Sequence, residues 1–271
     1  VVFTGSTETA QHIQLALAQR RGAIIPFIAE TGGQNAMVVD STALPEQTLD
    51  DIILSAFGSA GQRCSALRVL FLQEDIADKM LELIKGAAEL LDPGNRFSDD
   101  FPDVIDEKAA EKINAHAKNN ISRGWQPEWA KEHMKEAKSF VPPTIIELQS
   151  ISELKEEIFG PVLHVVRFND LNKLAAEINS TGYGLTFGIH TRIMKRAEDF
   201  ARKIKAGNVY INRSMIGAVV ATQPFGGQGL SGTGPKAGGP HYLLRLLVER
   251  TRTVNTAAIG GNLALLSGEA S

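Results

Sequence analysis

The chain has 271 residues, a net charge of −3 and 43% hydrophobic residues, which suffices for one large or two modest domains with packed cores. Near-balanced charge without a basic run argues against a nucleic-acid partner, and no apolar stretch approaches the ~18–20 residues of a membrane-spanning helix. One cysteine excludes an internal disulfide and the usual structural zinc sites, and with six scattered histidines no metal set is suggested.

Taken in order, residues 1–6 (Val1-Val2-Phe3-Thr4-Gly5-Ser6) read as a strand entered mid-course, without the charged start of a signal peptide. A soluble, cytoplasmic protein is the expectation. A helix over residues 7–19 follows, with Ile13, Leu15, Ala16 and Leu17 as its apolar residues. Free backbone N–H groups at such a strand-to-helix turn suit a phosphate, although Ser6 as an ordinary helix cap explains the same residues. An apolar run over 24–29 ends at Glu30, followed by Thr31-Gly32-Gly33-Gln34-Asn35. A carboxylate ending a buried strand is costly without a partner or a task. Desolvation there raises its pKa above ~4.3, toward that of a general base at neutral pH.

Residues 48–57 read as a short helix with Leu49, Ile52, Ile53 and Ala56 on one face, and residues 68–72 as a buried strand. Between them, Gly61-Gln62-Arg63-Cys64-Ser65-Ala66 forms a tight turn that carries the cysteine. Most free cysteines are small buried hydrophobes. Here the neighbours Gln62, Arg63 and Ser65 are polar, and the fixed charge of Arg63 favours a thiolate over a thiol of pKa ~8.5.

Residues 76–91 read as an amphipathic helix, 92–101 as a loop rich in Asp, Pro and Gly, and 106–121 as another helix. Residues 124–140 are the least legible stretch. Their tryptophans, Trp125 and Trp129, are expected to pack a surface helix rather than form a ligand platform. Glu156-Glu157-Ile158-Phe159-Gly160-Pro161 leads into a strand over 161–166, and Glu157 taken alone reads as a solvated helix-end carboxylate. Alternating elements at 171–179, 184–190, 192–204 and 207–212 predict a mainly parallel sheet with helices outside. The glycine-rich stretches 216–227 and 229–234 suit either a long flexible loop or a nest of backbone N–H groups around an anion. Residues 248–256 alternate like an edge strand suited to pairing with another subunit, and Gly260-Gly261-Asn262 closes a polar tail.

Five motifs occur in the order seen in the aldehyde dehydrogenase superfamily: Phe3-Thr4-Gly5-Ser6, Glu30-x-Gly32-Gly33, Gly61-Gln62-x-Cys64, Glu157-Ile158-Phe159-Gly160-Pro161 and Pro224-Phe225-Gly226-Gly227. Within it, the sequence resembles the glutamate-semialdehyde (1-pyrroline-5-carboxylate) dehydrogenase branch. It is most similar to the C-terminal part of the dehydrogenase module of the bifunctional proline utilisation A family. The pointers are Gln62 to Arg68, Gly160 to Val166, Gly217-Ala218-Val219-Val220, and the ending from Asn255-Thr256 to Gly261-Asn262. The resemblance covers most of the chain outside roughly 92–140, where Pro102-Asp103 replaces the family's Gly-Pro.

The resemblance implies an α/β fold in which a remnant of a Rossmann-type NAD domain (1–33) precedes an α/β catalytic domain (34–243) and an oligomerisation strand and tail (244–271). It implies NAD-dependent oxidation of an aldehyde that bears a distal carboxylate, L-glutamate gamma-semialdehyde, to glutamate in proline catabolism. Cys64 is then the nucleophile and Glu30 the base. Gly5, Ser6, Glu157 and Phe159 hold the dinucleotide, and Arg63, Ser65, Gly217, Ala218 and Phe225 hold the substrate. A homo-oligomer is expected, without nucleic acid, membrane span or metal, and FAD belongs only to a proline dehydrogenase domain elsewhere in a longer protein. Further strands are expected before Val1, so that the isolated chain is a piece of a larger polypeptide and inactive. The alternatives are another NAD(P)-dependent aldehyde dehydrogenase, a non-catalytic oligomerisation fragment, or a cysteine hydrolase with a histidine base.

Overall fold

The computed structural model describes residues 1–91, 102–136, 138–219 and 221–255. The loop expected over 92–101, the end of the expected edge strand at Thr256 and the Gly260-Gly261-Asn262 tail lie outside the described residues. Strand β1 (Val2–Thr4), helix α1 (Thr7–Gln19) and strand β2 (Ile28–Glu30) come first, and β1 pairs with β2 in a separate two-stranded parallel sheet. Only the last part of the apolar run reaches strand conformation. Ile24 is fully exposed and Ile28 fully buried.

The main body follows as β3 (Ala36–Val39), α2 (Pro45–Phe57), β4 (Val69–Gln73), α3 (Glu74–Glu89), α4 (Glu107–Asn119), β5 (Gly124–Trp125), α5 (Ala130–Glu136) and β6 (Thr144–Leu148). It continues through β7 (Val162–Phe168), α6 (Leu171–Ser180), β8 (Tyr183–Gly184), β9 (Thr186–His190), α7 (Met194–Ala201), β10 (Asn208–Ile211) and β11 (Gln228–Gly229). A seven-stranded sheet runs in the order β10-β9-β3-β4-β7-β6-β5 and is parallel except for the antiparallel edge strand β5. Strands covered on both faces need apolar side chains in both directions, and these strands have them. Ala36, Val38, Val69, Phe71 and Val166 point to one face, where α4, α6 and α7 cover them through Ile113, Leu174 and Phe200. Met37, Val39, Leu70, Leu72 and Val165 point to the other, under Ile52, Ala56 and Phe57 of α2 and Met80, Leu81 and Ile84 of α3.

Helix α2 begins three residues earlier than its apolar pattern suggests, because Pro45 sits in its first turn. Trp129 donates from Nε1 to the Glu89 carbonyl at 3.1 Å and packs at the edge of the core, whereas Trp125 belongs to β5. Residues 248–254 are exposed and form no strand in the described chain.

Candidate active site

Two sheet ends face each other across one cleft. Glu30 is the last residue of β2, and Cys64 lies in the turn between α2 and the start of β4. That turn is strained and well tied. Ser59, Ala60 and Gly61 all have positive φ, and the Asn35 amide donates from Nδ2 to the carbonyls of Cys64 at 2.7 Å and Ala66 at 2.9 Å. The Asn35 Oδ1 in turn accepts from the Thr186 amide. A cavity of about 630 Å³ opens between the two sheets, lined by Gly5, Ser6, Glu30, Thr31, Gly32, Cys64, Glu157, Phe159, Tyr183 and Phe225 among others.

Seven residues named from the sequence, Gly5, Ser6, Glu30, Cys64, Glu157, Phe159 and Phe225, are brought together there. Arg63, Ser65, Gly217 and Ala218 do not line it. Arg63 is exposed and donates from Nε to Ser59 Oγ at 2.9 Å. Ser65 is buried, and its hydroxyl has no hydrogen-bond partner among the described residues. The Gly217 carbonyl accepts from Gln223 Nε2, which also donates to the Tyr210 hydroxyl, while Ala218 is exposed.

The electrostatics support one sequence expectation and reverse another. Burial lifts the Glu30 carboxyl from the usual 4.5 to about 7, against the Gly227 amide, which donates to Oε2 at 3.0 Å, and the charge of Lys236. Its Oε1 is buried and has no hydrogen-bond partner among the described residues. The Cys64 thiol, by contrast, is not eased toward thiolate by Arg63. Burial pushes its pKa up, the Glu157 and Glu30 carboxylates add to the rise, and the Ser65 and Cys64 amides offset only part of it.

Glu157 is not a solvated helix end. Its side chain is 14% exposed, accepts from the Gly33 amide at 3.1 Å and pairs with the fully buried guanidinium of Arg68 at 3.1 Å. Gly32 must be glycine here, because a Cβ would overlap the Glu157 carboxylate. Arg68, Asn35 and Lys236 are the residues that motif reading missed. A charged residue heading the apolar run Val69-Leu70-Phe71-Leu72 was the available signal for Arg68, since a buried charge demands a partner. Ser6 accepts from the Thr9 amide as a plain N-cap of α1, and the same first turn borders the cavity. No histidine lines the cavity among the described residues, which leaves a cysteine hydrolase without its base.

A profile of the aldehyde dehydrogenase family matches residues 1–251. The chain belongs to the aldehyde dehydrogenase family. Among its relatives, the bifunctional protein PutA of Klebsiella aerogenes is 53% identical over 263 residues, covering 92% of this chain and 20% of the relative. The 1-pyrroline-5-carboxylate dehydrogenase 1 of Halalkalibacterium halodurans is 37% identical over 255 residues, covering 90% of this chain and 48% of the relative. A crystal structure of a bifunctional proline utilization A protein superposes with a TM-score of 0.87 at 51% identity, over 96% of this chain and 27% of that one. A Thermus 1-pyrroline-5-carboxylate dehydrogenase with bound NAD gives 0.80 at 32% identity, over 90% and 48%. The chain thus spans about a fifth of the PutA relatives and about half of the shorter dehydrogenases. Across the cavity the lone cysteine thus faces a carboxyl whose pKa is near neutral.

Proposed function

We propose that this segment serves the NAD-dependent oxidation of L-glutamate gamma-semialdehyde, the open form of 1-pyrroline-5-carboxylate, to L-glutamate in proline catabolism. The observation that carries the reading is the placement of Cys64 and Glu30, the latter with a pKa of about 7, on one 630 Å³ cavity. The relatives' names supply the substrate class.

The residues present fit a dinucleotide. Glu157 offers an acceptor-only carboxylate to a ribose diol, Phe159 offers a 45% exposed ring, and the first turn of α1 offers backbone N–H groups beside Gly5 and Ser6. When bound, NAD takes up the hydride that the aldehyde carbon loses. Cys64 supplies the nucleophile. The thiol first releases its proton to water; the thiolate sulfur then bonds to the aldehyde carbon while the carbonyl electron pair moves onto oxygen, where the Cys64 backbone N–H is one donor. After hydride loss the carbon is held as a thioester. Glu30 then takes a proton from water, the hydroxide oxygen bonds to the thioester carbon, and the C–S bond breaks to return the Cys64 thiolate.

Phe225, which lines the cavity, packs on the aliphatic middle of the substrate. The resemblance assigns the distal carboxylate to the Ser65 hydroxyl, the Gly217 and Ala218 amides and Arg63, none of which lines the cavity in this structure; the buried Ser65 hydroxyl, without a partner among the described residues, is the observation that favours it. The enzyme works as a cytoplasmic homo-oligomer. The exposed Leu243, Leu244, Leu246, Leu247 and Val248 support an association surface next to the proposed oligomerisation strand. The test of substrate class compares glutamate semialdehyde with hexanal in the protein carrying this segment. The reading expects kcat/KM to favour the carboxylate-bearing aldehyde by on the order of 10³-fold, and equal values refute it.

A further inference from the structure

The two halves of the cavity are joined by one side chain that the proposed chemistry has not used. Arg68 has no exposed surface, and all of its guanidinium N–H groups are directed at acceptors on the two loops that flank the cavity. On the cysteine side, Nη1 donates to the Gly61 carbonyl at 2.6 Å and Nη2 to the Arg63 carbonyl at 3.2 Å. On the other side, Nε and Nη2 both reach Glu157 Oε1, at 3.2 and 3.1 Å, and Nη1 reaches the Gly160 carbonyl at 3.1 Å. The guanidinium carbon also lies 5.1 Å from the centre of the Phe159 ring.

The backbone of Arg68 is fixed just as firmly. Its amide donates to the Asn35 carbonyl, and its own carbonyl accepts from the amide and Nδ1 of His164. His164 is buried and stays neutral, and its other ring nitrogen meets His116 Nε2 at 2.9 Å. An arginine held this rigidly at both ends cannot follow a moving carboxylate. It sets where that carboxylate sits.

We infer that Arg68 is the positioning residue of the dinucleotide site, clamping the Cys64 turn to the Glu157–Gly160 loop and holding the Glu157 carboxylate aimed into the cavity. The inference rests on the reading of Glu157 as the ribose acceptor. Burial pushes the Glu157 carboxyl up, and the Arg68 charge and hydrogen bonds, with the Gly33 amide, offset part of that rise; without Arg68 the carboxyl would also lose the two N–H donors that fix Oε1. Lysine cannot replace the fork, because a single ammonium has three donors and cannot span five planar contacts.

The experiment is a double-mutant cycle in the protein carrying this segment, with Arg68→Met, Glu157→Gln, both together, and Arg68→Lys. The readouts are KM for NAD, KM for the aldehyde, kcat and the melting temperature. Arg68→Met raises KM for NAD by about tenfold or more and leaves the aldehyde KM within twofold. In the Glu157→Gln background the same change adds less than twofold, because the carboxylate it positions is gone. The double variant leaves no unpaired buried charge, and it melts above Arg68→Met, which keeps the cycle readable if the single variant folds poorly. Arg68→Lys recovers little of the NAD affinity. An unchanged KM for NAD in Glu157→Gln sinks the ribose reading and the inference with it. A raised KM in Glu157→Gln, with Arg68→Met adding the same loss in both backgrounds, overturns the inference alone.

Discussion

At the scale of single residues, Glu30 and Cys64 are poised in opposite senses. A carboxyl with a pKa of about 7 is half charged near neutrality, so it can both take and return a proton there. Deacylation is expected to fall tenfold per pH unit well below pH 7, which stopped-flow turnover across pH 5 to 9 checks. The same desolvation has a stability consequence. Because the folded-state pKa lies above the usual 4.5, the folded chain keeps a proton between about 4.5 and 7 that the unfolded chain releases, and stability falls as pH rises through that window. Glu30→Gln removes this penalty. Its melting temperature exceeds the parent's above pH 7 and converges on it below pH 4.5; a constant offset at every pH contradicts the account. For Cys64, the raised thiol pKa means that the resting chain holds a thiol rather than a thiolate. It is the sole cysteine of the sequence, so haloacetamide labelling reads it alone. The labelling rate at neutral pH should be slow without dinucleotide and rise with pH. Cys64→Ser should abolish aldehyde oxidation while dinucleotide binding stays near the parent value.

At the scale of elements, the site depends on glycine twice, once in the Cys64 turn and once in the loop after β2. Gly61 has φ +63°, and a Cβ there would press into the Gly160 carbonyl and approach the Ala56 carbonyl. Gly61→Ala is expected to cost at least roughly 1–2 kcal/mol from the left-handed backbone alone, seen as a lower melting temperature. Gly32→Ala displaces the Glu157 carboxylate instead and should weaken dinucleotide binding more than it lowers stability. Long helices and apolar strands were readable because their periodicity exceeds the noise of local composition. The pattern over 76–91 became α3, and the run from Val69 became β4, within two residues at each end. The four-residue β3 escaped notice, although it lies at the centre of the sheet, because Ala36-Met37-Val38-Val39 is too short for any pattern and its place comes from pairing with β4 and β9. The motif residues around the cavity were legible only as a set: Cys64, Glu157 and Ser6 each had an ordinary explanation alone, and the order of five motifs gave the resemblance. The error on Arg63 had a physical source. Proximity in sequence to Cys64 says nothing about direction, and the guanidinium of Arg63 turns to Ser59 while Arg68, five residues further on, faces inward.

At the scale of the whole molecule, the small β1–β2 sheet and the seven-stranded sheet each carry one of the two proposed catalytic residues at their ends, so the proposed site exists only where the two meet. The segment around β11 fixes the end of β2 beside the site: the Thr31 amide donates to the Ser231 carbonyl at 2.9 Å, Thr31 Oγ1 to the Leu230 carbonyl at 2.6 Å, and the Gly227 amide to Glu30. The exposed leucines of 243–247 predict a further association. Leu244→Ser with Leu247→Ser should lower the mass seen by light scattering without altering the rate of Cys64 labelling, and an unchanged mass removes this patch from the assembly. The central claim, that Cys64 carries the acyl group and Glu30 releases it, is tested most directly by rapid quench of the Glu30→Gln variant with NAD and glutamate semialdehyde. Mass analysis of the peptide containing Cys64 should show an acyl adduct that forms in a single burst of NADH and persists while steady turnover collapses. Absence of the adduct, with burst and steady rate lost together, would contradict the assignment of both residues.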